Sequence, residues 1–252
     1  SASVSGGTDR VYYSVGGFFF ENDGFTTAAP RLGNVENDGF RNGNLSGRFG
    51  WLLNETTDVD LVLRYTDAEA QIDGFLFPTG PVDDLQRKLK NETFALRTQL
   101  RTEMFDGSIE QKVGFNYSRF NRRDTDPGAF GAAAFDGETV KFDWQSNTVL
   151  YDSVRLRSVL TTGLDYLNED ASSSSAAARS LHANGVYVQD HLVFDETWST
   201  VLGARWDHYS RAGSTGTYRV TTRYVLEEAE TALHGSIGTG FRAPAINELF
   251  DP

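Results

Sequence analysis

Apolar and polar residues alternate with a period of two through segments of about ten residues, and few folds accept that pattern. In 58–66, Val59, Leu61, Leu63 and Tyr65 fall on one side, and Asp58, Asp60, Arg64 and Thr66 on the other. In 108–118, Ile109, Val113, Phe115 and Tyr117, with Gln111, oppose Glu110, Lys112, Asn116 and Ser118. In 153–166, Val154, Leu156, Leu160, Leu164 and Tyr166 oppose Arg155, Arg157, Thr161 and Asp165. In 197–207, Trp198, Leu202, Ala204 and Trp206 oppose Ser199, Arg205 and Asp207. Successive side chains of a strand point to opposite faces, so each segment reads as a strand with one apolar face; a helix would need a period of 3.6.

The connections alternate too. Short turns are expected near 6–9, 54–57, 105–107, 151–153, 194–197 and 227–230. Long polar loops are expected near 21–41, 67–91, 119–138, 168–181 and 208–217. A meander with tight turns at one end and long loops at the other predicts an all-β, antiparallel, up-and-down transmembrane β-barrel of about twelve strands in this chain.

A soluble sandwich or propeller also alternates, but three features oppose it. The strands are long against a usual mode of about five or six residues. Their polar faces carry charge, as a watery lumen requires. Trp198 and Trp206 share a face eight residues apart, which is about 26 Å along a strand. A tilt of about 40° reduces this to roughly 20 Å of height, near the spacing of two interfacial aromatic girdles. Trp51, Trp144, Tyr65 and Tyr166 extend those belts.

Composition excludes several functions. The net charge of -12 lacks the basic footprint of nucleic-acid binding. It equally lacks a basic patch for anionic lipid. No cysteine is present, so disulfides and thiolate metal sites are excluded. No run is long and apolar enough for a membrane helix, and Ser1-Ala2-Ser3-Val4 has neither the basic start nor the apolar block of a signal peptide. His182, His191, His208 and His234 form no metal-binding pair. Ser236 lacks the frame of a nucleophile elbow. Ser172–Ser175 with Ala176–Ala178 reads as a flexible loop tip. The chain is expected not to be an enzyme.

The stretch Gly238-Thr239-Gly240-Phe241-Arg242-Ala243-Pro244, followed by Asn247-Glu248-Leu249-Phe250, closely resembles a hallmark phrase of TonB-dependent outer-membrane receptors. There it ends a barrel strand and enters a loop. Gly185-Val186-Tyr187-Val188-Gln189-Asp190, Leu202-Gly203-Ala204-Arg205-Trp206-Asp207 and Thr162-Gly163-Leu164-Asp165-Tyr166 agree with it. The opening, from Ser3-Val4-Ser5-Gly6-Gly7 to Glu21-Asn22-Asp23-Gly24-Phe25, resembles the early strands of the cobalamin-receptor branch. The resemblance implies a barrel of about 22 strands around an N-terminal plug. It also implies a location in the outer membrane, contact with its lipid, coupling to TonB through the plug, and uptake of cobalamin or a ferric siderophore. Residues 1–252 are then expected to be a partial barrel domain, without plug or C-terminal strands, because a barrel in lipid must close. The alternative is a small closed barrel acting as a passive porin or as a lipid or peptide hydrolase.

Two groups of residues are candidates for chemistry. Glu21-Asn22-Asp23-Gly24-Phe25 and Glu36-Asn37-Asp38-Gly39-Phe40 are nearly the same phrase at the two ends of one loop. Glu21, Asp23, Glu36 and Asp38 are the oxygen ligands that calcium prefers, and the resemblance to cobalamin receptors points to calcium as well; Asp-Gly and Asn-Asp are also ordinary turn formers. The lumen-facing charges are Arg64, Lys112, Arg155, Arg157, Asp165, Arg205 and Asp207. They are either a mutually paired wall or contacts to a plug or ligand, with Arg155 and Arg205 the candidates for contact. In the hallmark phrase, Arg242, Asn247 and Glu248 are candidates for the same role, while Pro244 sets the turn out of the strand.

Overall fold

A computed structural model describes residues 1–26, 28–78, 80–126, 132–246 and 248. Fourteen strands follow one another: β1 (Ala2–Gly7), β2 (Val11–Asn22), β3 (Phe40–Asn54), β4 (Thr57–Gln71), β5 (Gly74–Leu76), β6 (Gly80–Val82) and β7 (Lys88–Met104), then β8 (Ile109–Asp124), β9 (Ala133–Asp152), β10 (Leu156–Ser173), β11 (Arg179–Phe194), β12 (Trp198–Tyr209), β13 (Gly213–Leu226) and β14 (Thr231–Gly238). Twelve of them form one antiparallel sheet in chain order, from β1 to β14, each paired to its sequence neighbour. β5 and β6 make a separate small hairpin inserted between β4 and β7. β1 and β14 are the edges of the large sheet, which is not closed.

The two faces are as unlike as the alternation requires. Val11, Trp51, Val59, Leu100, Val113, Trp144, Leu164, Val186 and Trp206 lie side by side in one hydrogen-bonding row across nine strands. Val59 stands two residues above the start of β4, whereas Trp206 stands eight above the start of β12. The row therefore climbs from the short-turn end toward the long-loop end, which is the stagger of strands tilted to wrap a barrel. The apolar side chains stay on the surface: Trp198 is 46% exposed and Trp206 48%. Among the described residues only Ala28, Leu181 and Ala183 are buried apolar side chains. A single layer with so little core cannot be stabilised by self-burial in water, so the apolar face must meet another apolar phase.

Polar groups on that face are bonded to one another. Gln111, the interruption in its strand, accepts from Trp144 Nε1 at 2.8 Å and donates to Ser146 Oγ at 2.7 Å. Trp144 thus sits in mid-band with its N–H satisfied, with Phe142 and Val140 still above it. Above Tyr65, Phe94 and Tyr117 the same face turns charged, with ion pairs Arg41–Glu69, Lys88–Glu69 and Lys90–Asp67.

The short turns fall close to their expected places. Tight reversal comes from left-handed residues, Phe105, Asp106 and Gly107 (φ 53, 54 and 83°) and Asp195 and Glu196 (φ 44 and 58°), the conformation that matches strand twist in hairpins. One turn is displaced. β9 continues to Asp152 and the reversal occupies 153–155, so Arg155 is a turn residue whose carbonyl accepts from Asp195 N–H, and it is not on the polar wall. The long loops are shorter than their polarity suggests. Residues 168–173 and 179–181 belong to β10 and β11, and only 210–212 separate β12 from β13. Beyond the apolar band both faces carry many polar residues, and regular alternation is lost although the backbone ladder continues.

A charge tests the two faces directly. Val186→Arg, on the apolar face, should cost about 2–4 kcal/mol of assembly into lipid vesicles. Ser118→Arg, on the polar face, should cost little. Equal costs, read by gel mobility of the folded form, would mean the faces are misassigned.

Candidate functional site

The polar face carries an ordered pattern of charge. Tyr12, Gly50, Asp60, Gln99, Gly114, Asp143, Asp165, Gly185 and Asp207 form one row. The neighbouring row toward the long loops holds Arg48, Arg97 and Lys141; the one toward the short turns holds Arg101, Lys112 and Arg205. Four aspartates are thus bracketed by cations. Arg48 Nε lies 2.8 Å from Asp60, Arg97 3.6 Å from Asp143, and Lys112 2.7 Å from Glu110.

Arg205 is held by two carboxylates and a ring. Its guanidinium lies 2.9 Å from Asp165 and 2.6 Å from Asp207, and 5.7 Å from the centre of the Tyr187 ring. The Tyr187 hydroxyl donates to Gln145 at 3.2 Å. Glycine makes the arrangement possible. A Cβ on Gly185 would sit 2.1 Å from Arg205 Nη2, and one on Gly163 2.3 Å from the Tyr187 ring. Large side chains therefore lie flat along the wall and leave the space above it open. Of the expected lumen charges, Lys112, Asp165, Arg205 and Asp207 are paired within the wall. Arg64 and Arg157 have no ion-pair partner among the described residues.

Three loops meet at the long-loop end. Asn34, buried, donates to Ala29 C=O at 3.1 Å and accepts from Asp83 N–H at 3.1 Å. Asp83 Oδ2 accepts from Val35 and Glu36 N–H at 2.7 and 3.2 Å, and Glu36 accepts from Asp84 N–H at 2.8 Å. Arg87 reaches the third loop through Asp124, at the end of β8, at 2.8 Å and Asp126, just beyond it, at 3.8 Å, and donates to Asp73 C=O at 3.1 Å. Carboxylate oxygens of Glu36, Asp73 and Asp83 lie within 4.8 Å of one another. Burial pushes the Glu36 carboxyl above its ordinary range; the charges of Asp83, Asp38 and Asp73 add to this, against the Asp84 N–H. Asp83 Oδ1 is buried without a hydrogen bond.

Of the four carboxylates named from the repeated phrase, Glu36 is at this cluster and Asp38 acts on it electrostatically. Glu21 closes β2 opposite Arg41, and Asp23 is exposed. Asp73 and Asp83 come from a loop the repeat does not reach; Asp73-Gly74 and Asp83-Asp84 were the available signals. In the hallmark phrase, Arg242 and Glu248 bind each other at 2.6 Å, and Glu248 accepts from Ala245 N–H at 2.8 Å, closing the turn around Pro244. That N–H and Arg242 hold the Glu248 carboxyl below its usual range. Asn247 lies outside the described residues.

The family profile described as TonB dependent receptor-like, beta-barrel matches residues 2–252. The chain belongs to this family. It is 23% identical over 238 residues to the vitamin B12 transporter BtuB of Photobacterium profundum, an alignment covering 91% of this chain and 36% of the relative. Its fold is that of the siderophore receptor PirA of Acinetobacter baumannii, with a TM-score of 0.75 at 16% identity over 96% of this chain and 40% of that one. The ferric enterobactin receptor PfeA of Pseudomonas aeruginosa gives 0.74 at 14% identity, over 96% of this chain and 41% of that one. This TonB-dependent receptor segment thus spans well under half the length of each of these relatives. Its family is one of outer-membrane receptors and transporters for small solutes.

Gly185→Ala tests the flattened wall. The methyl group should expel the Arg205 guanidinium from its seat and cost about 1–3 kcal/mol. The midpoint of urea unfolding in detergent reads this, and an unchanged midpoint would show that Arg205 does not depend on the notch.

Proposed function

We propose that this chain is part of the barrel wall of an outer-membrane receptor for high-affinity, TonB-energised uptake of cobalamin or a ferric siderophore. The plug and the remaining strands come from the rest of the protein. The observation that supports this best is the pairing of a mainly apolar face with a polar face whose charges are mostly paired, in one staggered sheet. In lipid, the apolar face replaces a core and the ladder satisfies the backbone. The polar face lines a wet lumen, where paired charges hold water without trapping a passing ion. The names of the relatives, a vitamin B12 transporter and siderophore receptors, support these two substrate classes. Outer membranes bearing the complete receptor should bind labelled cyanocobalamin or a ferric siderophore tightly. Collapse of the proton-motive force in cells should stop uptake and leave binding intact. Uptake that persists without the force and saturates with no solute would instead identify a passive pore.

The loop cluster fits calcium. Three carboxylates converge, one buried oxygen lacks a hydrogen bond, and calcium prefers such oxygen donors. Glu36, Asp73 and Asp83 would hold the ion, which would neutralise their repulsion and lock two loops together. Calcium should then protect residues 23–39 and 72–87 from proteolysis. Asp83→Asn should abolish the protection, because the amide oxygen keeps the hydrogen bonds to Val35 and Glu36 but loses the charge. Glu36 takes up its proton at higher pH than an ordinary carboxyl, so calcium affinity should fall as pH drops, beginning above the usual carboxylate range. Glu36→Gln should flatten that dependence. Identical proteolysis with and without calcium at neutral pH would exclude the site.

A further inference from the structure

Three phenylalanines occupy the polar face near the long-loop end, where the pattern calls for polar groups. Phe18 and Phe20 share that face of β2 with Tyr12, and Phe40 shares that face of β3 with Arg48. They are 44, 43 and 38% exposed. The rings form a run, with centroids 6.4 Å apart from Phe18 to Phe20 and 6.3 Å from Phe20 to Phe40. Lower on the same face, Tyr12 and Tyr187 lie over Gly50 and Gly163 and donate hydrogen bonds to Asp60 and Gln145. The phenylalanines have no such seats.

Two more exposed rings, Phe120 on β8 and Phe135 on β9, face them across the wall. From β3 to β8 is three strand spacings, about 14 Å. The floor between is short and polar or small: Asn44 lies between Phe18 and Thr66 in one row, and Asn42 between Phe20 and Ala68 in the next. Charge sets this trough apart from most of the belt below. Arg48, Arg97, Arg101, Lys112 and Arg205 are each paired with a carboxylate, and of the six cations in the two rows flanking the aspartates Lys141 alone has no ion-pair partner among the described residues. Arg64, one row below Thr66, and Arg122, one row above Phe120, have no ion-pair partner among the described residues.

We propose that this trough seats an anionic solute with aromatic faces, of the ferric tris-catecholate kind, in preference to cobalamin or a ferric hydroxamate. Exposed rings on a wetted wall gain by being covered with apolar surface, and aromatic faces do so with favourable ring geometry. A guanidinium without a carboxylate partner attracts an anion and also stacks on flat rings. A ferric tris-catecholate offers three rings and net negative charge. Ferric hydroxamates commonly lack both, and cyanocobalamin carries no net charge. The inference rests on the receptor reading above and narrows its substrate.

The experiment uses the complete receptor in outer membranes and measures binding of a ferric tris-catecholate, a ferric tris-hydroxamate and cyanocobalamin. The catecholate should bind tightest. The double variant Phe18→Ala/Phe20→Ala should weaken it about tenfold, and Phe20→Leu, which keeps the site apolar, should weaken it less. Arg64→Gln should weaken it about fivefold and reduce its salt dependence; Arg64→Lys should restore the salt dependence. The folded gel mobility of each variant is checked first. Tightest binding of cobalamin or the hydroxamate would overturn the trough assignment and leave the receptor reading standing. Tight catecholate binding unaffected by every variant would also overturn it, because the rings would then serve only to contact the protein. Binding of none of the three would remove both readings.

Discussion

Everything in this structure depends on the pairing of backbone N–H and C=O groups between sequence neighbours. A strand in lipid has no water to satisfy those groups, so each must find its partner in the next strand. Here the ladder runs unbroken through twelve strands, with register irregularities only at Leu52/Asn54 and Ser158/Val159. A register slip of one residue would turn a whole strand over and place Asp60 or Arg205 among the tryptophans. The row from Val11 to Trp206 and the row from Tyr12 to Asp207 are therefore consequences of one set of hydrogen bonds.

The polar face uses that register to manage its charge. Aspartates aligned in one row would repel one another, but arginines on the adjacent rows bring a guanidinium within reach of each. Most of these pairs are partly exposed and contribute modestly each. Their effect is on the wall: much of its charge is cancelled beside the flat-lying side chains. Arg205 is held by two carboxylates, whereas Arg64 has no ion-pair partner among the described residues.

The loops add rigidity where the ladder ends. Asn34, Asp83 and Arg87 bind the connections after β2, β4 and β8 to one another, so this part of the long-loop end is braced. A receptor gains from such bracing, because loops already ordered lose less entropy when a solute binds. At the centre of the brace, burial raises the Glu36 carboxyl and the repulsion of neighbouring carboxylates adds to it.

The sequence by itself determined which residues share a face, how many strands the large sheet has and roughly where the short turns fall. Alternation is a property of each strand alone, written in residues two apart, and so can be read without knowing the neighbours. Gln111 marked a real interruption, although only its partners Trp144 and Ser146 explain it. The tertiary structure decided what stands beside what. Asp165 meets Arg205, and Tyr187 fills the notch at Gly163, through registers that no local pattern encodes. Glu36 joins Asp73 and Asp83 instead of Glu21 and Asp23, because loops are brought together by the strands beneath them and not by likeness of sequence. Arg155 left the wall because one strand ran further than its pattern suggested. The polar extensions of β8 to β11 were read as loops because side-chain polarity reports the surrounding medium, while strand pairing is a matter of backbone alone.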